Sequence, residues 1–102
     1  MEARVLDALG NSVRRDILVL LSDGPRSVGE IAAELPVSRP AVSRHLRVLR
    51  DCGLVRSETV AQHRVYHAEA APLREIDDWV SRYRAFWMEK LDALDTHLQE
   101  ES

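Results

Sequence analysis

The chain has 102 residues, 45% hydrophobic and 30% charged, with a formal net charge of −3. That is the size and composition of one folded domain and excludes a disordered tail. The longest aliphatic run, Ile17 to Leu21, is far too short to span a membrane. The first ten residues lack the basic and apolar regions of a secretory leader, and the single cysteine, Cys52, cannot form an internal disulfide, so the expected compartment is cytoplasmic.

Val5, Leu6 and Leu9 place an apolar stripe on a short first helix, which Gly10 stops. Asn11 or Ser12 caps a second helix carrying Val13, Ile17, Leu18, Leu20 and Leu21, ended by "SDGP" at Ser22–Pro25. Ser27 and Glu30 have capping-box spacing at the start of a third helix, short and closed by Pro36, with Ile31, Ala32 and Leu35 inward. Ser38 caps the fourth, which tolerates Pro40 in its first turn and runs to Cys52, with Gly53 as the residue just past its end. Leu54–Val60 and Arg64–Ala68 alternate as strands, and "AQH" between them predicts a hairpin turn without the glycine such turns favour. The final third is one long helix. Leu73, Ile76, Val80, Tyr83, Trp87, Leu91, Leu94 and Leu98 recur at spacings of three and four, with Trp79 and Phe86 widening the stripe.

The predicted fold is therefore mainly α with a small β-hairpin, a winged helix-turn-helix in one domain over residues 1–102. Its charge is uneven: residues 1–37 carry −2, residues 38–67 carry +4 and residues 68–102 carry −5. A basic middle between acidic ends is either solvated surface or a face for a polyanion.

Projection of the fourth helix at about 100° per residue separates two sides. Val42, His45, Leu46, Val48 and Leu49 gather on one, and Arg39, Pro40, Ser43, Arg44, Arg47 and Arg50 on the other. A helix fits the major groove of double-stranded DNA, and its first turn and a half does most of the reading. Ser38, Arg39, Pro40, Ser43 and Arg44 are the candidates for base edges, with Arg47 and Arg50 nearer the backbone. Lys90 is the one lysine of the chain, so the choice of arginine carries little information by itself. The absence of acids from that face carries more, because a carboxylate repels phosphate. Gln62, His63 and Arg64 sit where a wing approaches the minor groove or phosphates, with Arg64 foremost.

From Val5 to Ala68 the chain closely resembles the ArsR/SmtB-type winged-helix repressors of bacteria. The resemblance rests on "RRDIL" after the first helix, "SRPAVSRHL" in the fourth, "GLV" entering the wing and a Tyr on its return strand. It implies a sequence-specific transcriptional regulator, usually a repressor and often an autorepressor. It also implies a homodimer built on the first and last helices, here residues 1–10 and 72–100. The long stripe agrees, because a monomer of this size has nowhere to bury it. The expected interface is Val5, Leu6 and Leu9 with Ile76, Trp79, Val80, Tyr83, Phe86, Trp87, Leu91, Leu94 and Leu98. A two-fold dimer reads an inverted repeat.

Many proteins of this type respond to metals, and the resemblance implies two places to search. The first, a C-x-C pair early in the third helix, falls on Ser27 and Gly29, neither a thiolate. The second pairs D-x-H on the last helix with H-x-x-E or H-x-x-H across the dimer. Here His97 and Glu100 supply one pair, Asp95 and His97 overlap it, and Arg84 and Phe86 stand where the other pair belongs. Half a site does not close a zinc sphere. No metal or cofactor is expected, and the effector is unknown. Cys52 is read as a packing residue and the aromatic group as interface. Alternatives are a metal- or thiol-responsive sensor of the same type and a protein-interaction module on a winged-helix scaffold. No nucleophile with a matched base, phosphate loop or paired carboxylates in a cleft suggests an enzyme.

Overall fold

The computed structural model describes residues 3–101, and side chains through residue 99. Its elements are α1 (Ala3–Leu9), α2 (Ser12–Ser22), β1 (Arg26–Ser27), α3 (Val28–Glu34), α4 (Arg39–Asp51), β2 (Val55–Val60), β3 (His63–Ala68) and α5 (Ala71–Glu101).

Local chemistry sets most boundaries. Asn11 is the cap of α2, its side-chain oxygen accepting the Arg14 N–H at 3.1 Å. Ser27 and Glu30 form the reciprocal capping box of α3, at 3.2 and 3.1 Å. The hydrogen bonds from the Ser27 backbone and hydroxyl hold the Glu30 carboxyl below its usual range. Ser38 caps α4 by accepting the Ala41 N–H at 3.3 Å. The far end of α4 is a Schellman closure. The Leu54 N–H donates to the Leu49 carbonyl at 2.9 Å and the Gly53 N–H to Arg50 at 3.1 Å. Gly53 has φ +81, which a glycine adopts without the Cβ penalty.

The arginine pair after the first helix has a structural task. Arg14 donates to the carbonyls of Ala8 at 2.7 Å and Asp7 at 3.2 Å, and Arg15 to that of Leu9 at 2.7 Å. The two guanidiniums satisfy the orphan carbonyls that end α1 and fasten it to α2.

The wing is larger than the predicted hairpin. Arg26 and Ser27 pair with Tyr66 and Val65, giving a three-stranded antiparallel sheet in the order β1-β3-β2. Two residues are too few to show alternation, which is why β1 escapes the sequence pattern. Arg26 also donates to the carbonyls of Leu20 and Gly24, tying the sheet to the end of α2. His63, expected in the turn, opens β3 opposite Val60. The turn is Ala61–Gln62, with φ of 49° and 71°. That is the two-residue left-handed geometry which favours Asn-Gly, so both side chains are strained there. Ala61→Asn combined with Gln62→Gly is expected to stabilise the fold by about 1 kcal/mol, read as a higher urea midpoint. An unchanged midpoint would show that the turn is relaxed as it stands.

The core is one cluster. Ile17, Ile31, Val42, Leu46, Leu49 and Leu54 are fully buried, joined by Val5, Ala8, Leu18, Leu21, Cys52, Val55 and Tyr66. Several expected positions differ, Leu9 and Ile76 of the expected seam among them, since both pack against this core. Val48 is exposed, because the inward side of α4 is narrower than its projection and Val48 looks into an open cavity beneath α1. Val5, expected at the dimer seam, is buried in its own domain, while Leu6 on the same short helix faces solvent. Only the start of α5 touches this core, through Leu73 and Ile76; from Ser81 to Gln99 every side chain is exposed. Among the described residues no helix is long and apolar enough to cross a membrane.

Candidate nucleic-acid interface

The fourth helix is held by its apolar side and presents the other. Val42, Leu46 and Leu49 are buried, while Ser38, Arg39, Pro40, Ser43, Arg44, Arg47 and Arg50 are all exposed. The wing adds Gln62, His63 and Arg64, also exposed. Pairing register decides which wing residues join the helix. Arg64 stands opposite Thr59 and Tyr66 opposite Ser57, so these share the sheet face toward α4. Arg64 accordingly lines a groove with Ser43, Arg47 and Arg50. It also lines a second cleft, between the wing tip and the start of α3, with Arg39, Gln62 and His63. Arg64 therefore links Ser43, Arg47 and Arg50 of the helix with Arg39, Gln62 and His63 at the wing tip, while the register puts His63 on the opposite sheet face from Arg64, and Ser38, Pro40 and Arg44 are exposed on the helix alone.

Arg56 belongs to the same basic stretch of sequence but not to this surface. It pairs with Glu69 at 2.6 Å and Glu58 at 3.7 Å, and the Glu58 carboxylate accepts a hydrogen bond from His67 at 2.8 Å. This ladder lies on the other sheet face and cancels the charge of Arg56. It also separates the roles of His63 and His67, which do not converge on one ion.

His45 is half-buried on the flank of α4. Burial holds its imidazole below the usual histidine range, and the charges of Arg14 and Arg44 act in the same direction. The imidazole thus adds little positive charge to the flank, and positive charge concentrates on the four α4 arginines and Arg64.

A short basic helix held over a wing is a DNA-reading device whose relatives are identifiable. Residues 11–57, from the cap of α2 into β2, match the bacterial regulatory proteins of the arsR family. The HTH-type transcriptional regulator Rv2034 of Mycobacterium tuberculosis is 41% identical over 88 residues, covering 86% of this chain and 79% of that protein. The chain belongs to the ArsR family. An ArsR-like transcriptional regulator from Rhodococcus sp. RHA1 shares its structure with a TM-score of 0.73 at 37% identity, over 90% of this chain and 87% of that one. The homodimeric winged helix-turn-helix DNA-binding domain Mb0332 from Mycobacterium bovis, a possible ArsR-family regulator, gives a TM-score of 0.67 at 29% identity, over 85% and 81%. The fold is a winged helix-turn-helix, and this ArsR-family chain is a DNA-binding transcriptional regulator rather than an enzyme.

The donor chemistry of the two metal positions known in ArsR-type proteins does not fit a metal here. At the first, the Ser27 hydroxyl is engaged as a helix cap and Gly29 has no donor. The Arg39 guanidinium fills the space beside Gly29, so a cation there would meet a cation. At the second, Arg84 and Phe86 supply no ligand, and the side chain of Glu100 lies outside the described residues. Among the described residues no group of three His, Cys, Asp or Glu side chains converges. Cys52 is buried, and its thiol donates to the Leu49 carbonyl at 3.4 Å.

Sequence reasoning missed Gly29 as a partner of the interface and the pairing that removes Arg56 from it. The carboxylates Glu58 and Glu69 were the available signal for the second. Nothing in the sequence pointed to the first, because nine residues lie between Gly29 and Arg39.

Proposed function

We propose that the protein is a dimeric repressor that binds an inverted-repeat operator without a bound metal, acting in the cytoplasm and in some settings on its own promoter. The acid-free arginine face of α4, continuous with Arg64, carries this reading. Residues 38–64 supply the reading surface, and residues 1–10 and 72–100 supply the dimer. Ser43 and Arg44 meet base edges in the major groove, with Ser38 and Pro40 beside them, and an Arg fork matches guanine O6 and N7. Arg47 and Arg50 meet phosphates, and Gln62, His63 and Arg64 approach the adjacent minor groove and backbone. Two such heads related by a two-fold axis read half-sites about 34–36 Å apart, or a multiple of that spacing. A dimer seated across both half-sites covers DNA that a polymerase needs, which is repression by occlusion.

The test separates reading from anchoring. Arg44→Ala is expected to cost about 1–3 kcal/mol against the preferred operator base and to relax preference at that position alone. Arg50→Ala is expected to weaken operator and random duplexes evenly, lowering the salt slope by about 0.9. Titration of both variants against both DNAs at several salt concentrations distinguishes them. Equal losses on operator and random DNA for Arg44→Ala would remove its base-reading role.

A further inference from the structure

Gly29 has no side chain, and Arg39 occupies the room this leaves. A Cβ on Gly29 would stand 2.7 Å from Arg39 Nη2 and 3.1 Å from its Cζ. The guanidinium thus lies back across the first turn of α3 instead of projecting straight from α4. In that position it lines the cleft whose other walls include Gln62, His63 and Arg64. Two arginines therefore line one cleft from two elements, and no carboxylate lines it. Among the described residues neither Arg39 nor Arg64 is paired with an acid. Like charges gathered this way repel each other unless an anion comes between them. The planar fork of each suits a phosphate, which can accept from two guanidiniums at once.

We propose that this cleft seats one backbone phosphate of the operator, gripped by Arg39 from the recognition helix and by Arg64 from the wing, with Gly29 as the positioning residue that lays Arg39 back into it. Helix and wing are then locked to the same strand at one point. Arg39 accordingly anchors, and does not read bases as its place in the first turn of α4 suggests. The proposal rests on the DNA-binding reading above and adds to it a specific site and a residue that does not touch DNA.

The experiment uses the full chain with operator and random duplexes across a chloride titration. Arg39→Ala is expected to weaken both DNAs about equally, roughly five- to tenfold, and to lower the salt slope by about 0.9. Arg64→Ala should do the same. Because both meet one phosphate, the double variant should lower the slope by about 0.9 and not by about 1.8. Gly29→Ala should reproduce the Arg39→Ala loss and add nothing to it. Alanine is the better helix former at that position, so the melting temperature should hold or rise, which separates displaced Arg39 from a damaged fold. Inorganic phosphate at matched ionic strength should leave operator binding unchanged.

Slopes that add for Arg39 and Arg64 overturn the shared phosphate. Native affinity in Gly29→Ala, or a changed base preference in Arg39→Ala, overturns the seat. Specific competition by inorganic phosphate shows a free-anion site and overturns it as well. If Gly29→Ala is misfolded, the Arg39/Arg64 slopes decide alone. A native chain with no salt-sensitive DNA affinity sinks the DNA-binding reading itself, a separate and recognisable outcome.

Discussion

Leu91→Glu is expected to leave the chain folded, monomeric and unable to occupy its operator at concentrations where the native protein saturates it. The last helix leaves its domain after Ile76 and is about 46 Å long by helix rise. Beyond that point Trp79, Tyr83, Phe86, Trp87, Met88, Leu91, Leu94 and Leu98 are each about half exposed (48–54%). The aromatic members already stack along the helix. Trp79 and Tyr83 lie parallel at 5.1 Å, and Tyr83 and Phe86 each meet Trp87 edge to face, at 5.9 and 5.7 Å. Such a ladder is rigid before it is covered, so little side-chain freedom is lost when a second copy seats on it. Leu6, exposed on α1, and Val80 extend the same proposed seam.

A carboxylate at the centre of that seam is desolvated without a partner. A cost of about 4 kcal/mol, or roughly a thousandfold in dimer dissociation constant, is in keeping with an unpaired buried charge. Losing the dimer also removes the effective concentration that links two half-site contacts, worth about 10²- to 10⁴-fold. Sedimentation equilibrium and operator titration read both effects. A Leu91→Glu chain that sediments as the native dimer would place the interface elsewhere. Val5 is not a substitute for this test. It is buried in its own domain, so a polar change there damages the fold before it reports on pairing.

The second large effect is on the hinge between core and reading head. Leu49→Ala is expected to cost about 2–5 kcal/mol, the usual range for a fully buried leucine whose site cannot collapse. A domain of this size has about 5–15 kcal/mol in total, so the loss is a large share of it. Leu49 is fully buried, and its carbonyl accepts both the Leu54 N–H and the Cys52 thiol. The carbonyl ties the turn that ends the recognition helix, and the side chain holds the helix to the core. DNA affinity should fall with stability, whereas Arg47→Ala should weaken DNA and leave unfolding unchanged. Urea unfolding settles it: a cost below about 1 kcal/mol would mean that α4 is not held by its inner side.

The elements that rest on local rules were legible in the sequence. Ser27 with Glu30, Ser38 with Pro40, and Gly53 each satisfy or release backbone groups within a few residues, so spacing alone marks them. The apolar side of α4 was legible at Val42, Leu46 and Leu49 because helix period and burial agree there. Val48 was not, because what covers that flank is the position of α1, a tertiary matter. Val5 and Leu6 are neighbours on a helix of seven residues, and only packing against α2 and α4 decides which faces inward. The strand at Arg26–Ser27 is too short to carry a period. The contact of Arg39 with Gly29 exists only because the turn between α3 and α4 brings their first turns together.

The end of the recognition helix is tied to the approach of the last one: the Glu69 N–H donates to the Leu54 carbonyl at 2.8 Å. Leu73 and Ile76 pack the start of that helix onto the core, and the arginines of α2 fasten α1. In the proposed dimer the distance between the two recognition helices is therefore set by these joints. One extra base pair between half-sites displaces the second by about 3.4 Å and rotates it about the DNA axis by roughly a tenth of a turn. A frame held at these joints is expected not to follow that change. In that proposed dimer the protein is expected to act as a caliper on DNA, selecting its operator by the span between two short sequences as well as by the letters within each.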